Sequence, residues 1–74
     1  MKKEKIRITT EYIKLDQLLK FSGMAQNGAE AKEMILDGIV SYNGEVCTMR
    51  GKKVRPSDKV LIDFDDEQIE IEVL

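Results

Sequence analysis

Near the end of the chain, apolar residues fall on every second position: Val60, Ile62 and Phe64, then Ile69, Ile71 and Val73. In the first half they recur at intervals of three and four instead: Leu15, Leu18 and Leu19, then Ala31, Met34 and Ile35. A period of two marks a strand with one buried face, and a period near 3.6 marks a helix with one buried stripe. The first half is therefore expected to be mainly helical and the second half a sheet.

Lys5-Ile6-Arg7-Ile8-Thr9 alternates with β-branched residues and reads as a short strand ahead of the helices. The first helix takes Ile13, Leu15, Leu18 and Leu19 inward over about two turns, with Ser22 near its end and Gly23 closing it. Lys14, Asp16, Gln17 and Lys20 face outward, and the spacing of four allows Asp16 to pair with Lys20. Asn27 opens the second helix as an N-cap, with Glu30 as the acidic half of a capping box. Ala31, Met34 and Ile35 make its apolar stripe, Glu30, Lys32, Glu33 and Asp37 its polar side, and Gly38 its stop.

Val40-Ser41-Tyr42 and Glu45-Val46-Cys47 flank Asn43-Gly44, the pair that best satisfies a type I′ hairpin turn. Lys52-Lys53-Val54 is a further short strand before a turn at Arg55-Pro56-Ser57-Asp58. The next strand, Lys59 to Phe64, puts Phe64 into the core. Asp65-Asp66 turns the chain into the last strand. The expected fold is α+β: two packed helices against a small antiparallel sheet, as one domain over residues 1–74.

With 74 residues, 42% hydrophobic and 35% charged, the chain has enough for one small core and none to spare for a deep cleft. That favours a binding module over an enzyme. The net charge of −2 argues against nucleic acid, but its distribution does not. Residues 1–59 hold all 12 bases and eight of the acids, for +4, whereas residues 60–74 hold six acids and no base. This asymmetry predicts one basic and one acidic face. Cys47 stands alone and histidine is absent, so neither an internal disulfide nor a common zinc site is expected. Met-Lys-Lys-Glu-Lys leads into no apolar run, so neither a signal peptide nor a membrane span is expected, and the expected address is the cytoplasm.

Two constellations suggest chemistry. Gln26 and Asn27 at the start of the second helix, with Lys32 a turn further on, could hold a phosphate, although Asn27 would cap the helix in any case. Arg50, Lys52, Lys53 and Arg55 are four bases in six residues, suited to phosphate contacts or simply to a solvated edge that resists aggregation. No active site can be assembled: Cys47 has no base partner, no Gly-rich phosphate loop is present, and the carboxylates of 63–72 alternate along a strand. Tyr12 and Tyr42 could stack on a base. With so few aromatics, folded or double-stranded RNA is the better fit than a single strand.

Taken in order, Lys14-Leu15-Asp16, Gly23, Asn27-Gly28, Ala31 with Ile35, Gly38-Ile39-Val40, Tyr42-Asn43-Gly44, Val54, Pro56-Ser57-Asp58 and Val60-Leu61-Ile62 resemble the RNA-binding domain named after small-subunit ribosomal protein S4. The resemblance runs over about residues 12–64. It implies the αL RNA-binding motif, with structured ribosomal or transfer RNA as partner, and neither a cofactor nor a small-molecule substrate. It also implies that Lys14, Asn27 with Lys32, and Arg50, Lys52 and Lys53 make the contacts. Where the family usually has Ser-Arg this chain has Asn27-Gly28, so one basic contact is missing, with Lys20, Lys32 and Arg55 available to compensate. In many relatives the domain is appended to a catalytic unit; here it is expected to fill the chain, which resembles the short stand-alone bacterial members, and stand-alone relatives resemble ribosome-associated factors.

The full expected RNA-facing set is Lys14, Gln17, Lys20, Gln26, Asn27, Lys32, Arg50, Lys52, Lys53 and Arg55. The alternative is a protein-interaction module docking through the acidic strand from Asp63 to Glu72.

Overall fold

A computed structural model describes all of residues 1–74. Five strands form one sheet in the order β1-β7-β6-β3-β4: β1 Lys2–Ile6, β3 Val40–Tyr42, β4 Glu45–Val46, β6 Lys59–Asp63 and β7 Gln68–Val73. A two-residue ladder, β2 (Ile13–Lys14) with β5 (Lys53–Val54), stands apart from it. The helices are α1 (Leu15–Phe21) and α2 (Gly28–Leu36).

The two helices cover one face of the sheet. Leu15, Leu18 and Leu19 of α1 and Ala31, Met34 and Ile35 of α2 join Val40, Val54, Val60, Ile62, Ile71 and Val73 in one core cluster. No polar side chain is buried with them. Each fully buried Leu or Ile contributes about 1.5–3 kcal/mol, so these few residues carry the fold.

The expected helix signals operate as read. The Asn27 side chain accepts a hydrogen bond from the Glu30 N–H at 2.9 Å, and the Glu30 carboxylate accepts one from the Gln26 N–H at 3.4 Å, one residue earlier than a capping box would place it. Gly38, at φ +79°, occupies the left-handed position that ends α2. In the hairpin, Asn43 (φ +49°) and Gly44 (φ +91°) supply the two positive angles of a type I′ turn.

Other features differ from expectation, each for a physical reason. The N-terminal strand lies at Lys2–Ile6 rather than Lys5–Thr9, because β7 offers partners only from Ile69 to Val73. Ile6 therefore ends the ladder opposite Val73 instead of standing at its centre. This strand also runs parallel to β7, so the sheet is mixed, although every pairing among the later strands is antiparallel. Ile13 belongs to β2, opposite Val54, and not to the first helix.

Phe64 is 37% exposed rather than in the core, because β6 stops at Asp63 and the chain turns through Asp65 at φ +69°. Asp16 makes no ion pair with Lys20; its carboxylate accepts from the neighbouring Gln17 N–H at 2.8 Å.

In the expected division into a basic face and an acidic face, the acidic half fails. On the outer side of the sheet, Glu72 is in register with Lys5 on one side and Lys59 on the other, and Glu70 with Lys3. Cross-strand opposite charges of this kind are mutually favourable. The sequence places the acids and the lysines far apart, and strand pairing interleaves them. Only Asp63 and the turn from Asp65 to Glu67 remain as an acidic stretch without lysines in register.

Candidate nucleic-acid interface

The first turn of a helix has N–H groups with no partner inside the helix. In α1 two of these are satisfied from the far half of the chain: Leu15 N–H donates to the Lys52 carbonyl at 2.9 Å and Asp16 N–H to the Arg50 carbonyl at 3.1 Å. The basic stretch is thereby fastened to the start of the helix. One residue earlier, Lys14 lies directly opposite Lys53 in the β2–β5 ladder. Like charges directly across a ladder oppose pairing. Lys14, Arg50, Lys52 and Lys53 are thus held on one edge by backbone bonds that do not depend on their side chains.

None of these four has a carboxylate within ion-pair distance. The single ion pair in the molecule is Arg55 to Glu11 at 3.4 Å, both exposed, which contributes about 0–1 kcal/mol. Two of the four, Lys52 and Lys53, lie on aromatic rings instead, as does Arg55. Lys52 Nζ sits 4.8 Å from the centre of the Tyr42 ring, Lys53 Nζ sits 5.0 Å from that of Tyr12, and the Arg55 guanidinium 5.8 Å from the same ring. Such contacts are worth about 0.5–1 kcal/mol at exposed sites. They fix the direction of a lysine without neutralising it.

Tyr42 is itself held by Asp58. The Tyr42 hydroxyl donates to Asp58 Oδ2 at 2.6 Å, the Arg55 N–H donates to the same oxygen at 2.8 Å, and the Asn43 amide donates to Oδ1 at 3.1 Å. Asn43 in turn accepts from the Lys59 N–H at 2.8 Å. Burial alone would raise the Asp58 carboxyl, but the Tyr42, Arg55 and Asn43 hydrogen bonds and the Arg55 charge together hold it below the ordinary carboxylate range. Tyr42 is pushed above the usual phenol value by its hydrogen bond to Asp58, then by burial and by the Asp58 charge.

A family model for the S4 domain matches residues 6–72. The chain belongs to the S4 domain family. The match reaches beyond residues 12–64, taking in the end of β1 and nearly all of β7. S4 domains are RNA-binding modules, so RNA is the partner class. Among curated proteins no significant match is found.

In this S4 domain the expected contact residues fall into two groups. Lys14, Arg50, Lys52, Lys53 and Arg55 come together around the start of α1 and the β2–β5 ladder. Lys20, Gln26, Asn27 and Lys32 lie around the corner between α1 and α2, all exposed, and no hydrogen bond or ion pair joins them to the first group. Gln17 is exposed on α1. Asn27 is occupied in capping. At Gly28, where the sequence resemblance leads to the expectation of an arginine, a Cβ would meet nothing within 4 Å, so the position has room for a side chain.

Sequence reasoning missed the part played by Tyr12 and Tyr42, which carry cations here, and it read Asp58 only as a turn residue. A usable signal for Asp58 was its place in the Pro56-Ser57-Asp58 turn next to the Lys59 strand, where an Asp side chain readily binds nearby N–H groups. No three acidic or thiol groups converge as metal ligands, and no helix is long and apolar enough to cross a membrane.

Proposed function

We propose that this domain binds structured ribosomal or transfer RNA through the sugar–phosphate backbone, as a non-catalytic, ribosome-associated protein of the cytoplasm. The observation that carries the reading is the group of four cations at Lys14, Arg50, Lys52 and Lys53, fastened by backbone hydrogen bonds and left without carboxylate partners. Placing two lysines opposite each other opposes folding, and a polyanion relieves that repulsion. Ammonium groups serve as point charges, so most contacts fix register and orientation rather than read sequence. The corner group of Lys20, Gln26 and Lys32 extends the footprint along a second stretch of backbone, with Gln17 between.

The test is fluorescence anisotropy with purified transfer RNA and with ribosomal RNA fragments over a series of salt concentrations. Four phosphate contacts give a log–log slope of roughly −3 to −4. The double variant K14E/K53E is expected to lose most of the affinity and to flatten the slope. Absence of binding at low salt, or binding indifferent to salt, sinks the proposal.

A further inference from the structure

Between β4 and β5 the chain forms a loop closed by two backbone hydrogen bonds, Cys47 N–H to the Val40 carbonyl at 2.9 Å and Lys52 N–H to the Met49 carbonyl at 3.1 Å. This loop and the hairpin border an open cavity of about 290 Å³, whose lining includes Tyr42, Val46, Cys47, Met49 and Lys52. Val46 is 63% exposed and Met49 60% exposed, and neither belongs to the core. Single exposed apolar residues are ordinary on a protein surface. Here two of them line one cavity together with Tyr42, next in the chain to the basic stretch that begins at Arg50.

Lys52 and Glu45 are the charged residues of the lining, and Arg50 follows Met49 in the chain. Lys52 in the lining, with Arg50 next to it in the chain, offers cations to a neighbouring phosphate, while Val46, Met49 and Tyr42 suit a flat apolar group. A nucleotide with its base out of the stack has both groups, and bases of that kind are taken up on aromatic and apolar side chains. The cavity falls just below the size range of pockets that enclose a whole drug-sized ligand, which suits a single ring system.

We infer that this groove receives one unstacked base of the bound RNA, laid on Val46 and Met49 beside Tyr42, with Lys52 and Arg50 on the adjoining phosphates. The inference rests on the RNA-binding reading above and adds to it a preference: an RNA with an unpaired nucleotide is favoured over a fully paired one.

The probes are a short RNA hairpin with a single bulged 2-aminopurine and the same hairpin fully paired, followed by anisotropy and by 2-aminopurine fluorescence. The wild-type domain is expected to bind the bulged hairpin about tenfold more tightly, within what one stacked base supplies, and to change the fluorescence of the bulged base. V46S/M49S is expected to bind both hairpins at the wild-type affinity for the paired one and to leave the fluorescence unchanged. Because both side chains are exposed, its urea midpoint should match wild type, which separates loss of the groove from loss of the fold. If the wild type binds the two hairpins equally, or V46S/M49S keeps the preference, the groove is not a base site and the backbone-binding function stands. If the wild type binds neither hairpin at low salt, both readings fall.

Discussion

Replacing Asp58 with alanine tests how the cationic edge is held. The change removes the acceptor for the Tyr42 hydroxyl, the Arg55 N–H and the Asn43 amide at once. A hydrogen bond to a charged group is worth about 1.5–3 kcal/mol, and an ordinary exposed one nearer 0.5–1. The Tyr42 bond is short and partly buried, while the other two are exposed and can be replaced by water, so the loss comes to about 3 kcal/mol. That is large beside a total of about 4–11 kcal/mol for a domain of this length. With a urea dependence of about 1 kcal/mol per molar, the midpoint falls by about 3 M, followed by circular dichroism.

Tyr42→Phe removes only the shortest bond and is expected to destabilise by about 1–2 kcal/mol. The double variant should fall short of the sum of the two by about 1 kcal/mol or more, because both changes break the same contact. A midpoint shift under about 0.5 M for D58A, the range of an uninvolved surface residue, refutes the assignment. So does strict additivity with Y42F.

Three further outcomes are expected. The lowered Asp58 carboxyl contributes stability that is fully present above the unfolded value of about 4 and is lost as pH falls through its lower folded value; the raised Tyr42 phenol contributes stability present below about 10 and lost as pH rises through its higher folded value. Urea midpoints measured from pH 2 to 11 should decline at both ends, and D58A should flatten both declines. Lys14→Glu creates an opposite-charge pair with Lys53, so it should raise stability by about 0.2–1 kcal/mol while weakening RNA binding, and parallel changes in melts and anisotropy would contradict the interface. Gly28→Arg meets open space, and the gain in helix propensity roughly cancels an unfavourable charge at the helix start, so stability should hold while the salt slope steepens by about one.

The parts of the fold legible in the sequence are those governed by neighbours along the chain. Asn27 and Gly38 mark the ends of α2 because capping is a local bond, and Asn43-Gly44 marks the hairpin because two consecutive positive angles have few other solutions. Val60, Ile62, Ile69 and Ile71 announce β6 and β7 by alternation. The position of β1 was not legible: it is an edge strand whose residues before Ile6 are all charged, so no apolar period marks it. At two residues a strand, the β2–β5 ladder is too short to show any period.

For the site, the sequence names the cations, but it cannot bring Lys14 beside Lys53 or the Arg50 carbonyl onto the first turn of α1. Those contacts depend on how far-separated segments meet. The same holds for Asp58, whose partners Tyr42 and Asn43 lie on the other side of a long connection.

The placement of β7 between β1 and β6 has a consequence for the timing of folding. During synthesis β1 emerges first and waits for a partner that is made after every other strand. Contacts of such long sequence separation close slowly, and they cannot close at all before the late segment is available. Meanwhile β1 carries Lys2, Lys3 and Lys5, which keep an unpaired strand solvated and discourage it from pairing elsewhere. A nascent chain interrupted before Gln68 would therefore lack the strand that links β1 to the rest of the sheet and would leave two strand edges open, although both helices and the hairpin had already been made.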